Sequence, residues 1–318
     1  MMDLAQSCAV VDGVLIIKKE TGWTSHDVVA KVRHLLGGVK VGHAGTLDPA
    51  ATGVLPVLIG RGTRIAEYLV EWDKEYCAVL RLGETTDTQD ATGTVLVRQA
   101  TEHLTSAAIH EAVGRFLGPI EQVPPMYSAV KVAGVPLYKS ARAGKTIARD
   151  ARTIVIHTLE VLGIEGRDVS LRIVCSKGTY VRTLCADIGA ALGVGGHMLA
   201  LERTRVGPLR IDQALTIDEV ATRHALGRLG DDLLSLDLSL NRFALAVVDE
   251  QTADRVRHGA PVSAGKILRW EGAAAGERQP HMPVRIHDSD GRLIAIGKCP
   301  ANAGDALKVE KVLIDQDV

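Results

Sequence analysis

The chain has 318 residues, 46% hydrophobic and 24% charged, with 32 glycines and 11 prolines. That length and balance suit one sizeable core plus a second, smaller domain, and they exclude intrinsic disorder, a collagen-like chain and a coiled coil. Thirty-seven lysines and arginines stand against 38 aspartates and glutamates, so total charge alone gives no pointer to nucleic acid. No apolar run approaches the ~20 residues needed to cross a bilayer, and residues 1–13 lack the basic start and apolar stretch of a signal peptide. Cys8, Cys77, Cys175, Cys185 and Cys299 are scattered, with no C-x-x-C pair, which argues against a disulfide scaffold or a zinc ribbon. The expectation is a cytoplasmic protein with reduced thiols.

In chain order, residues 13–18 (Gly-Val-Leu-Ile-Ile-Lys) predict a strand. Thr24 or Ser25 then caps a helix with Val28, Val29, Val32, Leu35 and Leu36 on one face, closed by Gly37 and Gly38. A glycine-rich loop runs from Gly42 to Gly53. Tyr76, Ala78, Leu80 and Leu82 alternate with Cys77, Val79 and Arg81, a strand pattern. Thr105 caps a second amphipathic helix through Ile109, Val113, Phe116 and Leu117, ended by Gly118. Residues 153–162 and 169–175 predict two further strands, with Val169, Leu171, Ile173 and Cys175 on one face of the second, and a helix follows over about 183–192. Strands arrive singly and in neighbouring pairs, without a regular βαβ rhythm, so an α+β fold is expected rather than a doubly wound sheet. Beyond 238–242 come short strand candidates such as 293–297, split by turns such as Asp288-Ser-Asp-Gly291. That pattern predicts a small β-barrel behind a short linker.

Charge is unevenly spread. Between 131 and 152 lie Lys131, Lys139, Arg142, Lys145, Arg149 and Arg152 against the single acid Asp150. On composition this is either a solvated loop or a mobile arm that meets phosphates, with Tyr138 among the basics. Common cofactor motifs fail. Gly144-Lys145-Thr146 resembles the end of a P-loop, but position 139 is Lys139 where glycine is needed; residues 193–198 miss the last glycine of a dinucleotide fingerprint; His110-Glu111 has Gly114 where a zincin needs histidine. There is no G-x-S-x-G elbow. No cofactor and no metal are expected.

What remains is Gly42-His-Ala-Gly-Thr-Leu-Asp48-Pro-Ala-Ala-Thr-Gly53-Val-Leu-Pro-Val57. Pro49 biases Asp48 away from helix, and the apolar 54–58 run anchors the loop in a core. A carboxylate on such a loop can act as nucleophile or general base. It can equally bond nearby backbone N–H groups in an Asx turn. Spacing alone leaves both open.

This segment resembles the signature of the TruB-type tRNA pseudouridine-55 synthases, a G-H-x-G-T-L-D-P-x-A-T-G-V-L run. Lys74-Glu-Tyr76 and Gly83-Glu-Thr-Thr-Asp87 with Asp90 and Gly93 are similar to the family's next block. Gln122-Val-Pro-Pro-Met-Tyr-Ser-Ala-Val-Lys131, continued by Gly134, Tyr138, Ala141, Arg142 and Gly144, resembles the entry to its RNA-gripping thumb. Cys175-Ser-Lys-Gly-Thr-Tyr-Val-Arg182 and Asp187-Ile-Gly189 resemble its remaining active-site strand and helix. The match runs in order over about two-thirds of the chain, from Gly13 to about Pro208. Residues 254–262 and 291–297 resemble, more loosely, a PUA domain, a small RNA-binding β-barrel. Glu20 stands where the family has a proline, in Lys19-Glu20-Thr21-Gly22, leaving that turn less pre-organised.

The resemblance implies a catalytic domain over 1–238, a mixed and largely antiparallel sheet flanked by helices and loops, with a basic thumb at about 124–152. It implies a PUA-like RNA-binding domain over 239–318. The implied reaction breaks N1–C1′ of a tRNA T-loop uridine and joins C5 to C1′, with Asp48 as the catalytic carboxylate. Addition to the sugar, addition to the base and removal of a 2′ proton each use one such carboxylate. Arg182 is its implied cationic partner, offsetting the burial that would raise its pKa. If strand 169–175 continues through Gly178, Tyr180 and Arg182 share a side. Tyr76, Tyr180 and Leu201 would line the pocket of a flipped base, and His43 would fill the space it leaves in the RNA stack. Core packing is the alternative for Tyr76 and Leu201, and a backbone-bonded loop histidine for His43. Lys131, Lys139, Arg142, Lys145, Lys177 and Arg203, with Arg205, would meet phosphates of the T-loop and T-stem. A monomer with no membrane contact and no obligate protein partner is expected, and a tRNA-folding role is compatible with catalysis. A non-catalytic RNA binder has no need of Asp48, and a glycoside hydrolase needs two carboxylates where the motif holds one.

Overall fold

The computed structural model describes residues 12–128, 131–132, 134–142, 144–145, 147–272, 279–302 and 304–314. Strand β1 (Gly13–Lys19) is buried at all but one position, as its unbroken apolar run requires. Helix α1 (Ser25–Leu35) is capped by Thr24: its hydroxyl accepts from the Asp27 N–H, and the Asp27 carboxylate accepts from the Thr24 N–H. This reciprocal pair satisfies two donors that a helix start otherwise leaves open. The glycine-rich loop sits between a short β2 (Val41–His43) and a long β3 (Thr52–Ile59). Helix α2 (Ala66–Val70) leads to β4 (Lys74–Leu82), whose burial alternates residue by residue.

A hairpin of β5 (Glu84–Thr86) and β6 (Val95–Arg98) follows, then α3 (Ser106–Gly114) and β7 (Gly118–Gln122). Thr105 caps α3 as expected, but the helix stops at Gly114, and a turn takes the chain into β7 at Gly118. The expected thumb holds β8 (Lys131–Val132), β9 (Val135–Pro136) and α4 (Leu137–Arg142). Next come β10 (Arg152–Glu165), β11 (Asp168–Cys175), α5 (Val181–Ala191), β12 (Gly196–Val206) and β13 (Leu209–Arg210).

The main sheet runs β1-β3-β12-β4-β11-β10-β7, with β2 on β3 and β13 on β12. Every pairing is antiparallel except β3 with β12, which meet in parallel through Glu202 opposite Thr52 and Arg203 opposite Gly53. The expected mixed, largely antiparallel sheet is therefore present. Helices α3 and α5 cover the centre of the sheet, packing Ile109, Val113, Leu184 and Ile188 on Leu80, Leu171 and Ile173. Helix α1 and helix α6 (Ile217–Ala225) close a second core over β1 and β3 through Val28, Val32 and Val220.

Strand β11 stops at Cys175, and the chain turns through Ser176–Thr179, where the Thr179 hydroxyl donates to the Ser176 carbonyl at 3.0 Å. Tyr180 then starts α5, so Arg182 lies in the first helical turn and not on a continued strand.

After α7 (Leu236–Ser239), the chain forms β14 (Ala244–Val248), α8 (Glu250–Arg257), β15 (Ile267–Glu271), β16 (Pro283–His287), β17 (Leu293–Lys298) and β18 (Lys308–Val312). Their order is β15-β14-β16-β17-β18. Among the described residues no pairing joins β15 to β18, so the sheet is open where a closed barrel was expected. Its apolar surface is buried otherwise than by closure. Ala253 and Val256 of α8 cover one part, while Ile296 and Leu313 pack with Phe243 against Tyr68 and Trp72 of the larger unit. No helix among the described residues is long and apolar enough to cross a membrane.

Candidate active site

The loop joining β2 to β3 carries Asp48, and it is fastened at both of Asp48's neighbours. The buried Ser25 hydroxyl accepts from the Leu47 N–H at 2.9 Å and donates to the Leu47 carbonyl at 3.2 Å. The Pro49 carbonyl accepts from Gly22 N–H at 2.9 Å and from Lys19 Nζ at 3.3 Å. Lys19 is fully buried, and its ammonium also donates to the carbonyls of Glu20 at 3.0 Å and Trp23 at 2.7 Å. Those bonds hold the turn that lacks the usual proline at Glu20. Burial pushes the Lys19 pKa down to about 8.

The turn at Asp48 is closed by backbone, Ala51 N–H donating to the Asp48 carbonyl at 3.1 Å. The carboxylate meets Arg182, with Nε to Oδ2 at 3.1 Å. The Asx-turn role falls to Asp90 instead, whose Oδ1 accepts from the Thr88 hydroxyl at 2.7 Å and the Thr92 N–H at 2.9 Å. Arg182 is 6% exposed. Its Nη1 lies 3.3 Å from Asp90 Oδ2, and its Nη2 donates to the Tyr127 carbonyl at 2.9 Å. The guanidinium thus bridges one carboxylate already satisfied by hydrogen bonds and one that is open. Although 43% of the Asp48 side chain is accessible, desolvation is the largest influence on it and raises its pKa, opposed by Arg182.

Tyr76 stands on β4 opposite Ile173 and Arg203. Its ring belongs to the main core, and its side chain lies beside that of Arg203. Burial pushes its pKa up to about 12. Tyr180 is held by the carboxamide of Gln122, which donates to the Tyr180 carbonyl at 3.1 Å and accepts its N–H at 2.8 Å. Because β7 ends at Gln122 and β10 starts at Arg152, paired with each other, the thumb is rooted beside Tyr180. His43 ends β2 and packs edge-to-face on His26, with ring centres 5.6 Å apart. Its Nδ1 is buried without a partner, and burial lowers its pKa, so the imidazole is neutral at pH 7. Leu201 is half-buried and lines a depression of about 470 Å³ with Thr21, Ala50 and Thr52.

This geometry is one buried guanidinium on a loop carboxylate, near Tyr76 and Tyr180, with the insertion between β7 and β10 rooted beside Tyr180. Residues 33–181 match the family described as TruB family pseudouridylate synthase, N-terminal domain, and residues 182–240 match the tRNA pseudouridylate synthase B C-terminal domain. Similarity to the tRNA pseudouridine synthase B of Thermobifida fusca is 43% identity, covering 91% of this chain and 95% of that one. For the protein of the same name from Geotalea uraniireducens it is 46%, covering 78% and 80%. The chain belongs to the TruB family of pseudouridine synthases. A chain of the Cbf5-Nop10-Gar1 complex superposes with a TM-score of 0.77 at 30% identity, covering 95% of this chain and 85% of that one. A chain of an H/ACA RNP bound to a substrate RNA containing 2′-deoxyuridine gives 0.74 at 28%, covering 96% and 86%.

Among the residues expected to line a TruB-family site, Arg182 meets Asp48, and Tyr76 and Tyr180 both lie near enough to Asp48 to feel its charge. The phosphate-contacting set is less uniform. Lys145 is exposed on the thumb, and Lys177 is exposed but paired with Glu71. Lys131, Lys139 and Arg142 lie on β8 and α4, with side chains outside the described residues. Arg205 pairs with Glu75 at 3.5 Å. Arg203 does not fit the expectation. It is 1% exposed, and its Nε and Nη2 donate to the carbonyls of Val54 at 2.7 Å and Gly45 at 2.9 Å. A strand at the centre of the sheet leaves that side chain no path to solvent.

Lys19, Ser25, Asp90 and Gln122 were not singled out from the sequence as parts of this site. Lys19 and Asp90 lie inside the blocks that carry the family resemblance, which was the available signal. Gln122 opens the block that resembles the thumb entry and Ser25 was a candidate helix cap, but both act on backbone atoms far away in sequence, which no local pattern reveals.

Proposed function

We propose that this protein converts uridine 55 in the T-loop of tRNA to pseudouridine, with Asp48 as the one carboxylate of the reaction. The observation that carries this is the Asp48 carboxylate itself, tied through the backbone on either side and facing Arg182. N1–C1′ breaks, the uracil turns, C5 joins C1′, and the proton lost from C5 is balanced by the one gained at N1. No hydrolysis and no redox change occur. Arg182 keeps Asp48 ionised against its desolvation, Tyr76 and Tyr180 wall the flipped base, Leu201 lines its apolar side, and neutral His43 takes its place in the RNA stack. A base must leave the stack to be reached, at about a few kcal/mol, and stacking surfaces offset that cost.

The thumb at about 124–152 grips the loop through Lys131, Lys139, Arg142 and Lys145, with Lys177 beside it. The unit after about 239 resembles a PUA domain and acts as a second RNA contact. A cytoplasmic monomer without an obligate protein partner, which also assists tRNA folding, completes this reading.

The test is incubation with an unmodified tRNA transcript and with one carrying cytidine at position 55, followed by mapping of pseudouridine. Modification of the first transcript at 55 alone supports the assignment. Modification elsewhere, or free uracil as product, defeats it.

A further inference from the structure

Arg203 has an unusual setting for a cation. Strand β12 lies between β3 and β4, and Arg203 is the residue opposite both Gly53 on one side and Tyr76 on the other. Backbones approach so closely at Gly53 that an added Cβ would fall 2.2 Å from the Arg203 carbonyl oxygen. The side chain reaches back under the Asp48 loop and binds it near both ends, at Gly45 and Val54, while its own strand position faces Tyr76 of β4. Among the described residues no carboxylate pairs with it. A buried charge without an ionic partner is costly, and an apolar side chain of similar volume packs there with no desolvation penalty. What the guanidinium supplies instead is a rigid planar fork with several donors in fixed directions.

We propose that Arg203 is a positioning residue of the reaction: it ties both ends of the Asp48 loop to β12, where it stands opposite Tyr76 of β4, so that the carboxylate and the aromatic wall keep one fixed separation. This rests on the assignment of Asp48 and Tyr76 to the uridine site. Apart from the Asp48–Arg182 pair and the Thr52 hydroxyl on the Leu201 carbonyl at the loop's exit, the loop is fastened at Leu47 and Pro49, by Ser25, Gly22 and Lys19. Those anchors fix Asp48 relative to β1 and α1. They do not fix it relative to β4, where Tyr76 stands.

The experiment has two parts on the full-length protein. In wild type labelled with ¹⁵N-arginine, the Arg203 Nε–H is expected to exchange slowly with solvent and to keep its shift when tRNA is added. Rapid exchange, or a shift on tRNA binding like that of a phosphate contact, overturns the proposal without any variant having to fold. In Arg203→Lys, the single-turnover rate at saturating tRNA is expected to fall about 100-fold, the scale of a loop misplaced by an ångström, with the Kd for tRNA within about threefold of wild type. Combining it with Tyr76→Phe should cost less than the two separate losses multiplied, since the two residues face each other across β12 and β4 and serve the same positioning. A folded Arg203→Lys protein with a wild-type rate contradicts the proposal, as does a loss confined to Kd. If wild type itself fails to isomerise tRNA, the assignment of the site has failed and not the role of Arg203 within it.

Discussion

Asp48 sits under opposing influences, and their balance sets how its chemistry responds to pH. Desolvation raises its pKa above the ordinary 3.8, with Arg182 pulling it back. The ionised form is required of a nucleophile or base, so the acid limb of the single-turnover pH profile should lie above 3.8, rate rising with pH through it. Lys19 works from the other end. Its pKa is lowered to about 8, and its three donors serve three carbonyls, including Pro49 beside Asp48. Loss of one proton frees one carbonyl, so the rate should decline above about pH 8. A profile flat to pH 10 contradicts that role for Lys19. Arg182→Met leaves Asp90 facing a neutral group in a buried site. Unfolding should show a loss of about 3–5 kcal/mol, the cost of stranding a buried charge, together with loss of turnover. Equal stability to wild type would mean that Arg182 does not carry the pair.

At the scale of elements, the loop between β2 and β3 is rigid because separate parts of the fold hold it, and each hold has a price in allowed sequence. Gly53 has φ +101° and no room for a Cβ against β12. Gly53→Ala should lower stability by more than the roughly 1–3 kcal/mol of backbone strain alone, with turnover falling in parallel, as thermal melts and single-turnover rates would show. A neutral effect would mean the β3–β12 contact is looser than 2.2 Å implies. Much of this architecture is legible from sequence. The Thr24 and Thr105 caps, the alternation in β4 and the strand ending at Cys175 are local features, and the structure has them. The Asp48–Arg182 partnership followed from family resemblance. The element under Arg182 did not, because Gly178 reads equally as a strand kink or a turn into a helix, and tertiary packing of Leu184 and Ile188 decides it. Arg203 misled for the same reason. An arginine near a proposed RNA site reads as a phosphate contact, and only the placement of β12 between two other strands buries it.

For the whole molecule, binding to RNA has to come from local charge, since 37 basic residues face 38 acidic ones. With Arg203 withdrawn, Lys131, Lys139, Arg142, Lys145 and Lys177 remain as the proposed phosphate contacts. The plot of log Kd against log salt should then have a slope of roughly 3 to 4, and each Lys→Ala change should reduce it by about 1. Arg203→Lys should leave the slope unchanged. A slope near zero would make the thumb a bystander.

The smaller unit is bound to the larger through shared core and by Asp237, which accepts from Arg285 and faces His287, each at 2.8 Å. The two units therefore pack against each other through side chains of both. The most direct measurement is position-mapped pseudouridine formation on unmodified tRNA by wild type and by Asp48→Asn, with tRNA affinity and melting temperature followed in both. A native Asp48 that holds its proton more tightly than in the unfolded chain costs stability when ionised at pH 7. The neutral amide removes that cost, so Asp48→Asn should melt no lower than wild type. It should bind tRNA as wild type does and form no pseudouridine at position 55. Pseudouridine formed there by Asp48→Asn at a wild-type rate would contradict the assignment of Asp48.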